Sequence, residues 1–118
     1  QVNEAAKNAP ESLHWLAVSA NGEAHVAWLD LRDVKDKGQD LFYAKVTGGK
    51  VGKNVKIGAA VCECCAPGLA VDGKGNPTVI WREGEKTNRQ IFMTRSSDGG
   101  KTWKPPARVN AGETKVAT

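Results

Sequence analysis

The sequence repeats itself, and this repeat limits the possible folds more than any other feature. The segment 16–28, LAVSANGEAHVAW, aligns with the segment 69–81, LAVDGKGNPTVIW, at an offset of 53 residues. A second match follows, between DLFYAKVTGG at 40–49 and QIFMTRSSDGG at 90–100. A repeat of about fifty residues is typical of a structural unit that stacks against copies of itself. We therefore expect two similar units, at about 14–60 and 67–112. Together they would form one domain, or a part of one, that spans residues 1–118.

Each copy is predicted to form four short strands. Those of the first copy fall near 14–19, 24–30, 40–46 and 53–57, and those of the second near 67–72, 77–83, 89–95 and 106–110. Asn21-Gly22 and the segment 73–76 favour tight hairpins between the first two strands of each copy. The segments 26–29 and 79–81 are apolar on both faces, which suits a sheet that is covered on two sides. No segment has a helical period, so the sequence predicts an all-β fold.

The segment 96–103, SSDGGKTW, predicts a hydrogen-bonded turn between two strands. The Asp98 carboxylate can accept backbone N–H groups across the turn, and two glycines can take positive φ. Hydroxyl groups add further bonds, and a tryptophan anchors the turn from below. The residues expected to build it are Ser96, Asp98, Gly100, Thr102 and Trp103. The first copy has a degenerate version at 47–51, without the aspartate or the tryptophan.

The S-x-D-x-G-x-T-W pattern at 96–103 resembles the Asp box of the bacterial sialidase-like, or BNR-repeat, β-propellers. The repeat spacing, the W-x-D-x-R string at 28–32 and the C-x-C-C string at 62–65 are also similar to that family. The resemblance covers nearly the whole chain. It implies two four-stranded antiparallel blades of a propeller of the six-bladed type.

Two blades alone would expose apolar sheet at both ends, which a small domain does not sustain. We therefore expect either that the chain is part of a longer propeller or that copies associate, with three copies completing six blades. Val2-Asn3 and Val109-Asn110 stand at the same phase of the repeat, which would let copies join head to tail.

The family resemblance implies a glycan-directed protein that hydrolyses or binds an acidic sugar. Its site would lie on the face that carries the loop between the second and third strands of each blade. Guanidinium groups bind a sugar carboxylate in bidentate fashion, and carboxyl groups serve as acid or base. The candidate substrate-binding residues are Arg32, Arg82, Arg89 and Trp15, and the candidate acid/base residues are Asp30, Asp33 and Glu83.

A complete sialidase site is not present in these residues. The only tyrosine, Tyr43, falls inside a predicted strand, and the arginine motif that opens the family's sequences is absent. The alternative interpretation is a non-catalytic β-propeller that acts as a binding or assembly module, because one fold hosts many functions.

Three cysteines stand in the connector between the two copies. Cys62 and Cys65 can form a disulfide, whereas a bond between the adjacent Cys64 and Cys65 would be strained. The alternatives are free buried thiols or a soft-metal site for copper or zinc, with His14 or His25 nearby. A disulfide would fit a periplasmic or secreted location. We expect no cofactor.

Charge and hydropathy limit the classes of partner. The net charge is +4 with a pI near 9.1, but the lysines are scattered, so no nucleic-acid surface is predicted. No apolar run approaches the ~20 residues that a membrane-spanning helix needs. The expected partners are a glycan or other small acidic ligand and further copies of the chain.

Overall fold

The structure is a computed structural model, and it describes residues 2, 14–32, 39–61, 66–85 and 88–110, without the side chains at 60, 84, 85, 88 and 89. These residues form an all-β fold, as predicted. The strands are β1 (His14–Val18), β2 (Ala24–Asp30), β3 (Gln39–Thr47), β4 (Lys50–Val51), β5 (Val55–Val61), β6 (Gly68–Val71), β7 (Pro77–Glu85), β8 (Asn88–Arg95) and β9 (Ala107–Arg108). Over the described ranges there is no helix of the length and apolarity needed to cross a membrane.

The strands form two antiparallel meanders of four strands each. The first meander has the order β1-β2-β3-β5, with the short β4 paired to the end of β3, and the second has the order β6-β7-β8-β9. A single bridge between Val61 and Glu83 links the meanders into one hydrogen-bonded path. The strands lie close to their predicted positions, although β9 is only two residues long.

The sequence repeat is also a structural repeat. Trp28 pairs with Phe42 in the first meander, and Trp81 pairs with Phe92 in the second. The two rings of each pair are stacked, with centroids 6.3 Å and 6.4 Å apart. The first hairpins match as well, because Ser19 N donates to Glu23 O and Asp72 N donates to Asn76 O.

Side chains alternate between the two sides of a strand, so each meander has two faces. We call one the aromatic face; it carries Leu16, Trp28 and Phe42 in the first meander and Leu69, Trp81 and Phe92 in the second. We call the other the groove face; it carries Ala17, Ala27 and Tyr43 in the first meander and Ala70, Ile80 and Met93 in the second.

The main core lies between the meanders, where the aromatic face of the second packs on the groove face of the first. Its buried members are Ala27, Leu29, Leu41, Tyr43, Ile57, Val61, Leu69, Val79 and Trp81. The Trp81 indole lies directly on β5, since a Cβ added at Gly58 would stand 3.0 Å from it. A smaller cluster on the aromatic face of the first meander contains Trp28, Phe42 and Ala44, with Val2 packed against it.

Candidate functional site

The turn at 96–103 is built as the sequence predicts. Asp98 Oδ1 accepts hydrogen bonds from Lys101 N at 3.1 Å, from Thr102 N at 2.9 Å and from Ser96 Oγ at 2.6 Å. Thr102 Oγ1 donates to Asp98 Oδ2. The hydrogen bonds from Ser96 and Thr102 hold the pKa of Asp98 well below its usual range. The carboxylate is therefore fully engaged in the turn.

The turn is anchored on the first meander through Tyr43. Trp103 Nε1 donates to Gly100 O at 3.1 Å, and the Trp103 ring meets Tyr43 edge-on with centroids 4.8 Å apart. Tyr43 Oη lies 2.7 Å from Nδ1 of the buried His25. Burial raises the pKa of the tyrosine hydroxyl, which keeps it neutral. The turn thus fastens the second meander to the first.

We expect Asp98→Ala to lower the melting temperature by roughly 5–10 °C, because two backbone N–H groups and two hydroxyl groups of the turn lose their acceptor. Ser97→Ala, at an exposed position of the same turn, is the matched control and should leave the melting temperature unchanged. Thermal unfolding followed by circular dichroism measures both. An unchanged melting temperature in Asp98→Ala would contradict the structural role of this carboxylate.

The candidate acid/base residue Asp30 is fully buried and surrounded by donors. Trp28 Nε1 donates to Asp30 Oδ2 at 3.0 Å, and Arg32 donates through its backbone N at 2.8 Å, its Nε at 3.1 Å and an Nη2 at 2.9 Å. Burial would raise the pKa of Asp30, but the hydrogen bonds from Arg32 and Trp28 outweigh it and lower the pKa. A buried carboxylate that stays ionised and fully paired is a poor proton donor.

The candidate carboxylate binder Arg32 is occupied by the same network. Its Nη2 donates to Asn54 Oδ1 at 3.0 Å as well as to Asp30, and its Cζ lies 4.1 Å from the centre of the Phe42 ring. Asn54 in turn donates from Nδ2 to Val2 O at 2.9 Å. The guanidinium group therefore ties β2, β3 and the start of β5 together.

The second copy repeats the tryptophan–carboxylate contact. Trp81 Nε1 donates to Glu83 Oε2 at 2.9 Å, as Trp28 Nε1 does to Asp30. Glu83 is half-buried. The second copy thus has a glutamate where the first has Asp30, and both carboxylates accept the indole N–H. The contact occurs at the same repeat position in both meanders, which is typical of a fold-stabilising feature rather than of a unique catalytic site.

The register places Asp30 and Glu83 at the same end of the sheet. Asp30 pairs with Asp40, and Glu83 pairs with Gln90, next to the connections between the second and third strands. Val61, which precedes the cysteine connector, pairs with Glu83 at this end. The turn at 96–103 lies at the opposite end, where Gly99 N donates to Asn76 Oδ1.

Other candidate residues are only partly described. Arg82 is half-buried on the groove face of β7. Arg89 is part of β8, and the structure describes only its backbone. Asp33 and the three cysteines, Cys62, Cys64 and Cys65, lie outside the described residues. Within the described ranges, no three His, Cys, Asp or Glu side chains gather in an arrangement that could hold a metal ion.

Trp15 borders a shallow apolar groove on the second meander. The indole is 51% exposed, and the groove has a volume of about 370 Å³. The other lining residues are Gly68, Leu69, Ala70, Thr78, Ile80 and Met93. Because Gly68 takes the place of Trp15 in the second copy, no indole fills the equivalent position there, and the groove stays open.

Sequence reasoning missed the His25–Tyr43 pair and Asn54. His25 reaches Tyr43 because of the register between β2 and β3. Ala27 pairs with Tyr43 and His25 pairs with Lys45, so His25 and Tyr43 lie in adjacent rows on the same face. No local motif encodes this register. Burial lowers the pKa of His25, so the ring is neutral. Asn54 falls inside the predicted fourth strand at 53–57, and no local motif marks it as a partner of Arg32.

No protein-family model and no curated protein matches this chain. The resemblance to sialidase-like propellers therefore depends on the motifs and the repeat alone.

Proposed function

We propose that this chain is a non-catalytic binding and assembly module, built as two blades of a sialidase-like β-propeller. The observation that carries the proposal is the repeated tryptophan–carboxylate contact. It engages Asp30 and Glu83, two of the three carboxyl groups expected to act as acid or base. Groups held in the same way in both repeats serve the fold.

The state of the only tyrosine supports the same proposal. A sialidase-type nucleophile must be exposed to the sugar and near a carboxylate that activates it. Tyr43 is instead buried, bonded to His25 and packed against Trp103 at the Asp-box end of the sheet. Tyr43 lies three positions along β3 from Asp40, the partner of Asp30, and its side chain is on the opposite face of the first meander from Asp30.

The second candidate function is binding of an acidic sugar, and the half-exposed Trp15 favours it. Indole rings offer an apolar plane on which a sugar ring stacks, with the polar edge left in water. Arg82 lies on the same face of the second meander as the groove that Trp15 borders. Glycan recognition here would need no turnover.

A fluorogenic sialoside separates these proposals from hydrolysis. We expect no release of the fluorophore above the buffer rate between acidic and neutral pH. Binding is then tested by adding free sialic acid and measuring the change in tryptophan fluorescence. Trp15→Ala should remove this change, and Ala20→Ser, at an exposed hairpin, is the control. Sialoside turnover that Glu83→Gln abolishes without loss of folding would overturn the non-catalytic assignment.

A further inference from the structure

The β1 edge of the first meander exposes apolar residues whose counterparts in the second meander are less exposed. Leu16 and Leu69 occupy the same repeat position, on the aromatic face of the first strand in each meander. Leu69 is 8% exposed because it packs on the first meander, whereas Leu16 is 56% exposed. Val18, at the next position on this face, is also exposed. At its β1 edge, the aromatic face of the first meander thus has apolar residues for sheet packing without the sheet, while Trp28 and Phe42 on the same face are already buried.

The groove face of the second meander shows the complementary half. Ile80 occupies the repeat position of Ala27, and Met93 that of Tyr43. Ala27 and Tyr43 are fully buried under the second meander, whereas Ile80 is 41% exposed and borders the groove. The surface that would receive a third meander is therefore open.

We propose that a second copy of this chain docks its first meander, aromatic face inward, on the groove face of the second meander. The inference deepens the proposed assembly function and rests on it. The interface between the two meanders of one chain is the template, since it joins the same two kinds of face. Leu16 of the second copy would occupy the groove between Ala70 and Ile80, as Leu69 packs with Ala17 and Ala27 within the chain.

The contact is heterologous, because each copy uses a different face at each end. Val2 already covers part of the Trp28–Phe42 cluster, so the exposed β1 edge with Leu16 and Val18 is the part left for the partner. The receiving face differs from its template at several positions, and one of these changes introduces a charge, because Arg82 stands where the first meander has the buried Leu29. The contact between copies is thus more polar near the β7–β8 connection than the contact within a chain.

Two complementary variants test this arrangement. We expect Leu16→Glu and Ile80→Glu each to weaken self-association by about 100-fold or more, because a carboxylate would be buried in an apolar contact. Both positions are exposed within one chain, so each variant should keep the wild-type circular dichroism. Its melting temperature should fall to that of the dissociated chain and should no longer depend on protein concentration. Ala20→Glu, which adds the same charge to an exposed hairpin, is the control and should associate as the wild type does.

Mixing the two variants gives the decisive result. Leu16→Glu keeps an intact groove face, and Ile80→Glu keeps an intact aromatic face. The equimolar mixture should therefore form a complex of twice the 12.6 kDa chain mass, seen by sedimentation velocity, while each variant alone stays a monomer.

Three outcomes would overturn the head-to-tail contact. The first is that the mixture forms no complex, and the second is that the wild type is a monomer. The third is that Ile80→Glu alone assembles as the wild type does, which is the result expected of a symmetric contact through Leu16. None of them affects the sialoside measurement, which tests the non-catalytic assignment separately. Turnover by an assembled chain would instead overturn that assignment and leave the contact intact.

Discussion

Gly100→Ala should lower the free energy of unfolding by about 3–5 kcal/mol, through backbone strain and overpacking together. Gly100 has φ of +102°, a conformation that residues with a Cβ rarely adopt. A Cβ there would also overlap the Tyr43 side chain, which is buried and held by His25 and Trp103. The tyrosine cannot move away without losing both contacts. Urea unfolding followed by tryptophan fluorescence measures the change.

Gly49→Ala is the matched control for this substitution. Gly49 has φ of +81°, but a Cβ there would meet no atom within 4 Å. Only the cost of positive φ applies, so we expect a loss of about 1–2 kcal/mol. Equal losses in the two variants would show that Tyr43 does not hold the turn on the first meander.

Asp30→Ala should destabilise the chain by about 3–4 kcal/mol, because it leaves the largely buried Arg32 guanidinium and the Trp28 N–H without their acceptor. Glu83→Ala removes the equivalent group of the second repeat. Since Glu83 is only half-buried, that variant should lose about 1 kcal/mol. Urea unfolding of the two variants compares them directly.

The Asp30→Ala result also separates a structural role from a catalytic one. A catalytic carboxyl group is often removed with little loss of stability, because it is held in a strained or charged site for its chemistry. Stability that stays at the wild-type value in Asp30→Ala would therefore contradict the structural account of the W-x-D-x-R string. It would return Asp30 to the acid/base candidates.

The two-copy arrangement of strands could be predicted because it is encoded locally. Hairpin glycines such as Gly22 and Gly75 take positive φ where the sequence places turns, and the hydrogen bonds within the turn at 96–103 join residues at most four positions apart. These features depend on side-chain and backbone chemistry within one turn. The strand positions and the Asp-box geometry were therefore accessible from the sequence.

The chemistry of the candidate site was not accessible in the same way. Asp30 and Arg32 read as loop charges, but in the fold the carboxylate is buried, and the guanidinium lies on Phe42 and reaches Asn54, 22 positions along the chain. Such contacts depend on register between strands, which a string such as W-x-D-x-R does not encode. The sequence thus offered Asp30 and Arg32 as site candidates, but it did not reveal the contacts that engage them in the fold.

Sedimentation equilibrium of the wild-type chain tests the two-blade assembly most directly. Three copies would supply the six blades of the proposed propeller, so we expect a species of three times the 12.6 kDa chain mass, with the native fold retained. The trimer should persist until the protein concentration falls to its dissociation constant. The Leu16→Glu substitution should abolish the trimer. A folded monomer of 12.6 kDa at every concentration would contradict the account.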